Sequence, residues 1–335
     1  MKYIRPFLFA LIAATFAACG SDNDDIIPDD PKPEETKYPL NITVTENPLI
    51  NPDAPSHAPR RAPIITTPTL SKFYIDYLYE EGDNLETGGV SAEKTADGQW
   101  ECHDGSWPNF YATIDWYAYT YKKDDTKITD DTFQKNGGDP YIQFTVSDYP
   151  SEQKDLLVAT TKNTTLAATG ATIHFAFDHA CTALRFYVKK ATNLADYTLS
   201  VTGVRLCNVI KNGDYYFNSA SWTLGSQRQS YILYDGEAKT LGTTDYEALD
   251  ASDAPYLFLI PQTLTAWDGK TAIASATTQT YLELDCTLTK DGSDVFSGTA
   301  YIPFAATPQQ GYQHDVRINI GKNSLYRAPS TKVIP

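Results

Sequence analysis

The chain has 335 residues, 42 acidic against 27 basic, a formal charge of -15 and 41% hydrophobic residues. That length suits two ordinary domains or one large all-β domain, and an acidic balance with no basic run excludes polyanion binding, which needs a face rich in Lys and Arg. Aromatic residues make up 13%, with 23 Tyr and 14 Phe against a single Met, a composition that fits pleated sheets and argues against a helical bundle.

Lys2 and Arg5 precede twelve almost wholly apolar residues, Phe7 to Ala18. A bilayer span needs roughly 20 such residues, so residues 1–18 read as a signal peptide removed on export. Ala17-Ala18-Cys19-Gly20 resembles the lipobox of bacterial lipoproteins, with Phe16 where Leu is usual, and makes Cys19 the expected lipid attachment site. The acidic run Ser21-Asp22-Asn23-Asp24-Asp25 resembles the signal that sends lipoproteins to the outer surface in Bacteroides-type bacteria. Loss of Lys2 and Arg5 leaves 25 basic against 42 acidic residues, so the exported chain is more acidic than its precursor.

Residues 19–37 are acidic and proline-rich and read as a stiff, solvated tether. Ten of the twenty prolines fall between residues 28 and 68. Within that stretch, Leu40, Ile42 and Val44 alternate with Asn41, Thr43 and Thr45, the period of a strand, placed at residues 38–46. A proline-rich loop, residues 47–61, follows and ends in Arg60-Arg61 before Ala62. Strand-like sequence runs from Ile64 to Glu80, with Phe73, Ile75, Tyr77 and Tyr79 on one face.

From Phe110 onward strands follow one another, each ended by turn residues. They are expected at Phe110 to Tyr121, Tyr141 to Val146, Ile173 to Phe177, Thr182 to Val188, Tyr197 to Asn208, Tyr231 to Tyr234, Tyr256 to Ile260, Tyr281 to Leu288, Ala300 to Phe304 and Val316 to Ile320. Only Ser151 to Leu157 hints at a helical period. The expected fold is all-β, two antiparallel β-sandwich domains in tandem. The polar stretch Thr160 to Gly170 sets the division near residue 165, giving domains 38–165 and 166–335, the second ending in a tail at 322–335.

The search for chemistry is bland. His57, His103, His174, His179 and His314 show no ligand spacing, and there is no nucleophile elbow, P-loop or dinucleotide fingerprint. No catalytic residue, metal or cofactor is expected, and His179 reads as a satisfied polar residue near a strand bend. Asp124-Asp125 and Asp130-Asp131 fit solvated turns better than a calcium loop. Cys102, Cys181, Cys207 and Cys286 form no C-x-x-C pair; Cys286 shares an apolar face with Leu282, Leu284 and Leu288, and disulfides stay open because export crosses an oxidising space. Trp107 and Trp116 could serve a surface glycan-binding lipoprotein, although tryptophans in such a chain more often pack in the core.

Several pieces, in order, resemble the fimbrillin family, the type V pilins and fimbrillin-like lipoproteins of Bacteroides-type bacteria. They are Arg61 to Phe73 with the Tyr-rich strand after it, Trp107-Pro108 before the aromatic strand at Phe110, Gln153 to Ala159, Phe175 to Phe186, Leu259-Ile260-Pro261-Gln262 and Gly311 to Val316. The resemblance implies transthyretin-like sandwiches and a structural subunit of cell-surface fimbriae at the outer membrane, with no enzymatic activity. It further implies that the strand carrying Leu40, Ile42 and Val44 is removable, and that an arginine-specific protease cuts the Arg61-Ala62 bond. The vacancy is then filled by a strand from another fimbrillin subunit, for which the tail residues Leu325, Tyr326 and Ala328 are the candidate donor. The implied partners are such subunits, the protease and, through Cys19, outer-membrane lipid, with a role in adhesion or biofilm formation.

Overall fold

A computed structural model describes residues 40–52, 70–79, 85–103, 113–121, 133–136, 139–165, 172–249, 256–328 and 331–333. Among these residues the chain forms strands, short 3-10 turns and no α-helix, as its aromatic and β-branched content favours. The first strands are β1 (Asn41–Glu46), β2 (Lys72–Tyr79), β3 (Leu85–Lys94), β4 (Trp100–His103), β5 (Ile114–Tyr119), β6 (Phe133–Asn136), β7 (Asp139–Thr145), β8 (Leu157–Thr164) and β9 (Thr172–His179). Seven of them make one sheet in the order β1-β9-β8-β5-β2-β3-β4. Its pairs are antiparallel except that β1 lies parallel to β9. The sheet curls until its two edge strands, β1 and β4, touch.

Inside the curl sits a small core that includes Phe73, Ile75, Trp116, Ile173, Phe175 and Phe177, all fully buried. The expected face of Phe73, Ile75 and Tyr77 lands there. On the other side of the same strands, Tyr74, Tyr117, Tyr119 and Val158 join a larger core that continues to Leu325. The central strands are therefore buried on both faces, which is why β5 reads as an aromatic run and not as a clean alternation.

The later strands are β10 (Thr182–Lys190), β11 (Thr198–Ile210), β12 (Asn212–Tyr216), β13 (Ser221–Leu224), β14 (Arg228–Thr240), β15 (Glu247–Ala248), β16 (Leu257–Leu259), β17 (Tyr281–Lys290), β18 (Ser293–Pro303), β19 (Gln313–Ile320), β20 (Tyr326–Arg327) and β21 (Thr331–Lys332). One sheet holds β10 between β19, which runs parallel to it, and the short antiparallel β15 and β16. A second runs β14-β11-β17-β18-β20-β21. Along β17, Leu282, Leu284, Cys286 and Leu288 are buried together, as the period-2 pattern predicts. The four cysteines are free thiols. Burial pushes Cys102 and Cys207 up to about 11 and Cys286 up to about 12, which keeps them protonated and unreactive.

Strands from the two halves pair with one another. A further sheet, β13-β12-β7-β6, pairs Tyr141–Thr145 of β7 with Asn212–Tyr216 of β12 and so crosses from one half to the other. The division expected at residue 165 falls between β8 and β9, two strands of one sheet. The polar run from Thr160 begins inside β8, whose buried end is Leu157, Val158 and Ala159; threonine is polar enough to read as linker and β-branched enough to make strand. Where Ser151 to Leu157 hints at a helix, a single 3-10 turn at Pro150–Glu152 forms instead, opened by proline.

Candidate functional site

A strand with a hydrogen-bonded neighbour on one side only is the easiest piece of a sheet to remove, and β1 is such a strand. It pairs from Asn41 opposite Thr172 to Glu46 opposite Phe177. Ile42 and Val44 point inward, half-buried against the small core, while Asn41, Thr43 and Thr45 face solvent. The solvent face is bonded lightly: Thr43 Oγ1 lies 2.9 Å from His174 Nδ1 and Thr45 Oγ1 lies 3.3 Å from His174 Nε2. The residues flanking β1, here called with it the leader, are held more firmly, since Leu40 and Leu49 are only 7% and 6% exposed. A leucine buried to that degree contributes about 1.5–3 kcal/mol. β1 is thus held by apolar contact on one face and by backbone pairing on one edge.

The leader continues past the sheet. Asn47 donates its backbone N–H to the Phe177 carbonyl at 2.9 Å and its side-chain amide to Asp178 Oδ1 at 2.8 Å. Ile50 then pairs with the second half of the molecule, donating to the Gly311 carbonyl and accepting from the Gln313 N–H, both at 2.9 Å. Gly311 has a φ of +72°, a left-handed turn that glycine adopts without strain. Sequence reasoning missed Asn47, Leu49 and Ile50; the signal was the apolar pair Leu49-Ile50 between two prolines, too short to show a period.

His179 lies under this crossing. Its Nδ1 bonds the Asp155 carboxylate, and both side chains are buried. Burial opposes a charge on this imidazole, but the hydrogen bond and the charge of Asp155 outweigh it, helped by Glu46 and the Asn47 backbone, and hold His179 above its ordinary range. The neighbouring Cys181 thiol is pushed up by burial first and by Asp155 second. The imidazolium thus stabilises the fold fully below about pH 6.5, the ordinary histidine value, and that stabilisation is lost as pH rises through the raised value. The thermal midpoint is expected to fall between pH 6 and pH 9 more steeply in the wild type than in a His179→Gln/Asp155→Asn double variant, as scanning calorimetry at both pH values would show. Parallel curves would remove the pair from this role.

The fimbrillin-like family model matches residues 75–332, which is most of the chain. This chain belongs to the fimbrillin-like family. Solved structures similar to this fimbrillin-like chain include a fimbrial protein from Bacteroides vulgatus, with 18% identity, a TM-score of 0.51 and coverage of 75% of this chain and 88% of that one. A protein from Parabacteroides distasonis, described as a candidate for cell adhesion, has 10% identity, a TM-score of 0.50 and coverage of 89% and 90%. At these identities the likeness concerns the fold. No curated protein matches. The matched span of the fimbrillin-like chain begins at Ile75 and so leaves β1 and the Arg60-Arg61-Ala62 stretch outside it.

Cys19, Arg60, Arg61, Ala62 and Trp107 lie outside the described residues. The described residues of the tail of this fimbrillin-like chain, 322–328 and 331–333, are folded back on its own second half. Leu325 is fully buried, Tyr326 packs edge-on against Trp267 with ring centroids 5.4 Å apart, and Ala328 is exposed. Tyr326 of β20 pairs with Tyr301 of β18, and β21 returns to pair with β20. Trp116, a residue that could have served sugar stacking, is fully buried beside Tyr77, ring centroids 5.1 Å apart. Trp267 is buried as well. Those two rings are core residues, as the composition of the strands predicts.

Proposed function

We propose that this chain is a structural subunit of cell-surface fimbriae, assembled by strand exchange and without an enzymatic activity of its own. Residues 1–18 direct export, Cys19 takes the lipid, and residues 20–37 hold the body away from the outer membrane. An arginine-specific protease cuts Arg61-Ala62, β1 leaves, and a strand from a second subunit takes its place. The tail around Leu325, Tyr326 and Ala328 is the donor; to serve, it detaches from β18 and exposes Leu325 until a neighbour covers it.

The observation that carries this reading is β1 itself, an edge strand parallel to β9 and joined to the body through the proline-rich stretch that contains Arg60-Arg61. Proline and small polar residues suit a segment that a protease must bind extended. A bare β9 edge beside Phe175 and Phe177 would leave unpaired backbone groups next to an apolar groove, which favours capture of another strand.

Weakening the plug tests the reading. Val44→Asp places a carboxylate against the small core, and the leader of that variant is expected to leave at least tenfold faster after cutting, with polymer appearing sooner. The measurement is the rate at which the leader fragment separates from cut protein on a sizing column. A rate equal to that of the wild type would contradict the plug.

A further inference from the structure

A cavity of about 230 Å³ opens beside the ends of β5 and β7 and the 3-10 turn at Pro150–Glu152. Among the described residues, none that lines it belongs to the leader, β9 or the tail. Its floor is aromatic. Tyr74 and Phe144 are buried there, and half-buried Tyr121 stands edge-on to Phe144 with ring centroids 4.8 Å apart. Its rim is polar, with Thr145, Glu152 and Lys154 exposed and Ser147 half-buried.

Backbone groups add to that rim. The Val146 N–H bonds the Lys211 carbonyl at 2.8 Å and the Phe217 N–H bonds the Pro140 carbonyl at 3.0 Å, so residues 140 and 146 turn their backbones toward the β12 side. Antiparallel pairing alternates, and Thr145 therefore turns its N–H and carbonyl the other way. On that side β6 pairs with β7 from Asn136 opposite Asp139 to Phe133 opposite Ile142. Thr145 thus lies beyond the end of β6 as well as on the cavity rim.

An aromatic floor under such a rim suits a ligand with one C–H face and an edge of hydroxyls. The C–H bonds of a pyranose lie against the negative face of an aromatic ring. Its hydroxyls can donate to Glu152 or the Thr145 carbonyl and accept from Lys154 or Ser147. The two opposite charges on one rim give an ion no net attraction, which favours a neutral ligand. The volume is below the about 300–1,000 Å³ of sites for drug-sized molecules, so one ring fills it. Trp116 and Trp267 are committed to the core, and the aromatic contact falls here to tyrosine and phenylalanine.

We propose that this cavity binds one neutral pyranose, the terminal residue of a glycan. The site is formed by a single copy of the chain, so binding does not depend on whether Arg61-Ala62 is cut or on the fimbrial reading.

Saturation-transfer NMR on the purified, uncut chain tests this, with the methyl glycosides of glucose, galactose, mannose, fucose and N-acetylglucosamine as probes. Saturation is expected to reach the ring C–H protons of at least one of them. Tyr121→Ala and Glu152→Ala are each expected to weaken that binding about tenfold. Tyr149→Ala, which alters a tyrosine 64% exposed and outside the cavity, is expected to leave it unchanged. Glu152 is exposed, so its variant keeps the test open if loss of the Tyr121 ring disturbs folding. No transfer to any of these glycosides, or a signal that neither cavity variant weakens, would overturn the proposal. Tighter binding of N-acetylphenylalanine amide than of every glycoside would assign the cavity to a peptide and overturn it too.

Discussion

Replacing both Arg60 and Arg61 by alanine is expected to leave the exported chain uncut and monomeric, with polymer formation abolished and not merely slowed. The two arginines are the basic residues nearest the end of the leader, in a stretch where proline recurs at positions 55, 59, 63 and 68. Proline cannot pair into a central strand, so the sequence of this stretch argues against a place for it in a sheet. With the bond intact, β1 remains tethered beside its groove at an effective concentration that a strand from another molecule cannot match. Gel analysis of surface fractions from cells carrying the double variant reads this outcome. A ladder of polymer in that variant would show that the plug leaves by some other route.

The second large effect is in the small core. Phe73→Ala is expected to destabilise the molecule by about 3–5 kcal/mol, the usual cost of emptying a buried phenylalanine site, against a total of about 5–15 kcal/mol for a typical domain. Phe73 is fully buried and meets Trp100, Phe175 and Phe177 edge-on, with ring centroids 5.0, 5.7 and 5.0 Å apart. Phe175 and Phe177 belong to β9, so the cavity opens beneath the strand that holds β1. The variant should therefore lose the leader as well as stability. Urea unfolding followed by tryptophan fluorescence, with exposed Tyr149→Ala as a control expected to change stability by about 0.5 kcal/mol or less, distinguishes a local packing loss from a general sensitivity to aromatic truncation. A Phe73→Ala midpoint equal to that of the control would contradict the place given to this core.

Much of the fold was legible because period-2 alternation and one-sided burial coincide. β1, β9 and β17 each carry their apolar residues on one face, and each was placed within a few residues from pattern alone. β3 and β4 escaped because Gly88-Gly89 and the acidic residues Glu86, Glu93 and Glu101 carry no apolar period. β12 and β13 escaped for a different reason: Asn212-Gly213-Asp214 and the turn before Ser221 look like loop, and only pairing with β7 makes them sheet. The candidate site divides in the same way. The plug strand is local and could be read; the contacts of Ile50 with Gly311 and of Asp155 with His179 join distant parts of the chain, and nothing in either neighbourhood announces the other.

The chemistry of the site is correspondingly plain. On the proposed reading its working parts are an edge, a groove and a leader, recognised through strand register and length. The buried thiols and the His179–Asp155 pair serve packing and the position of the crossing. In the proposed assembly the seven acidic residues between Asp22 and Glu35 leave with the leader, so the polymerised subunit would be less acidic than its precursor.

The most direct test is the amino terminus of the subunit within polymer extracted from the cell surface. Mass spectrometry of the polymer-derived chain is expected to find Ala62 as the first residue and no acyl group. Polymer whose subunits still begin at an acylated Cys19 would contradict removal of β1, and with it the account of assembly.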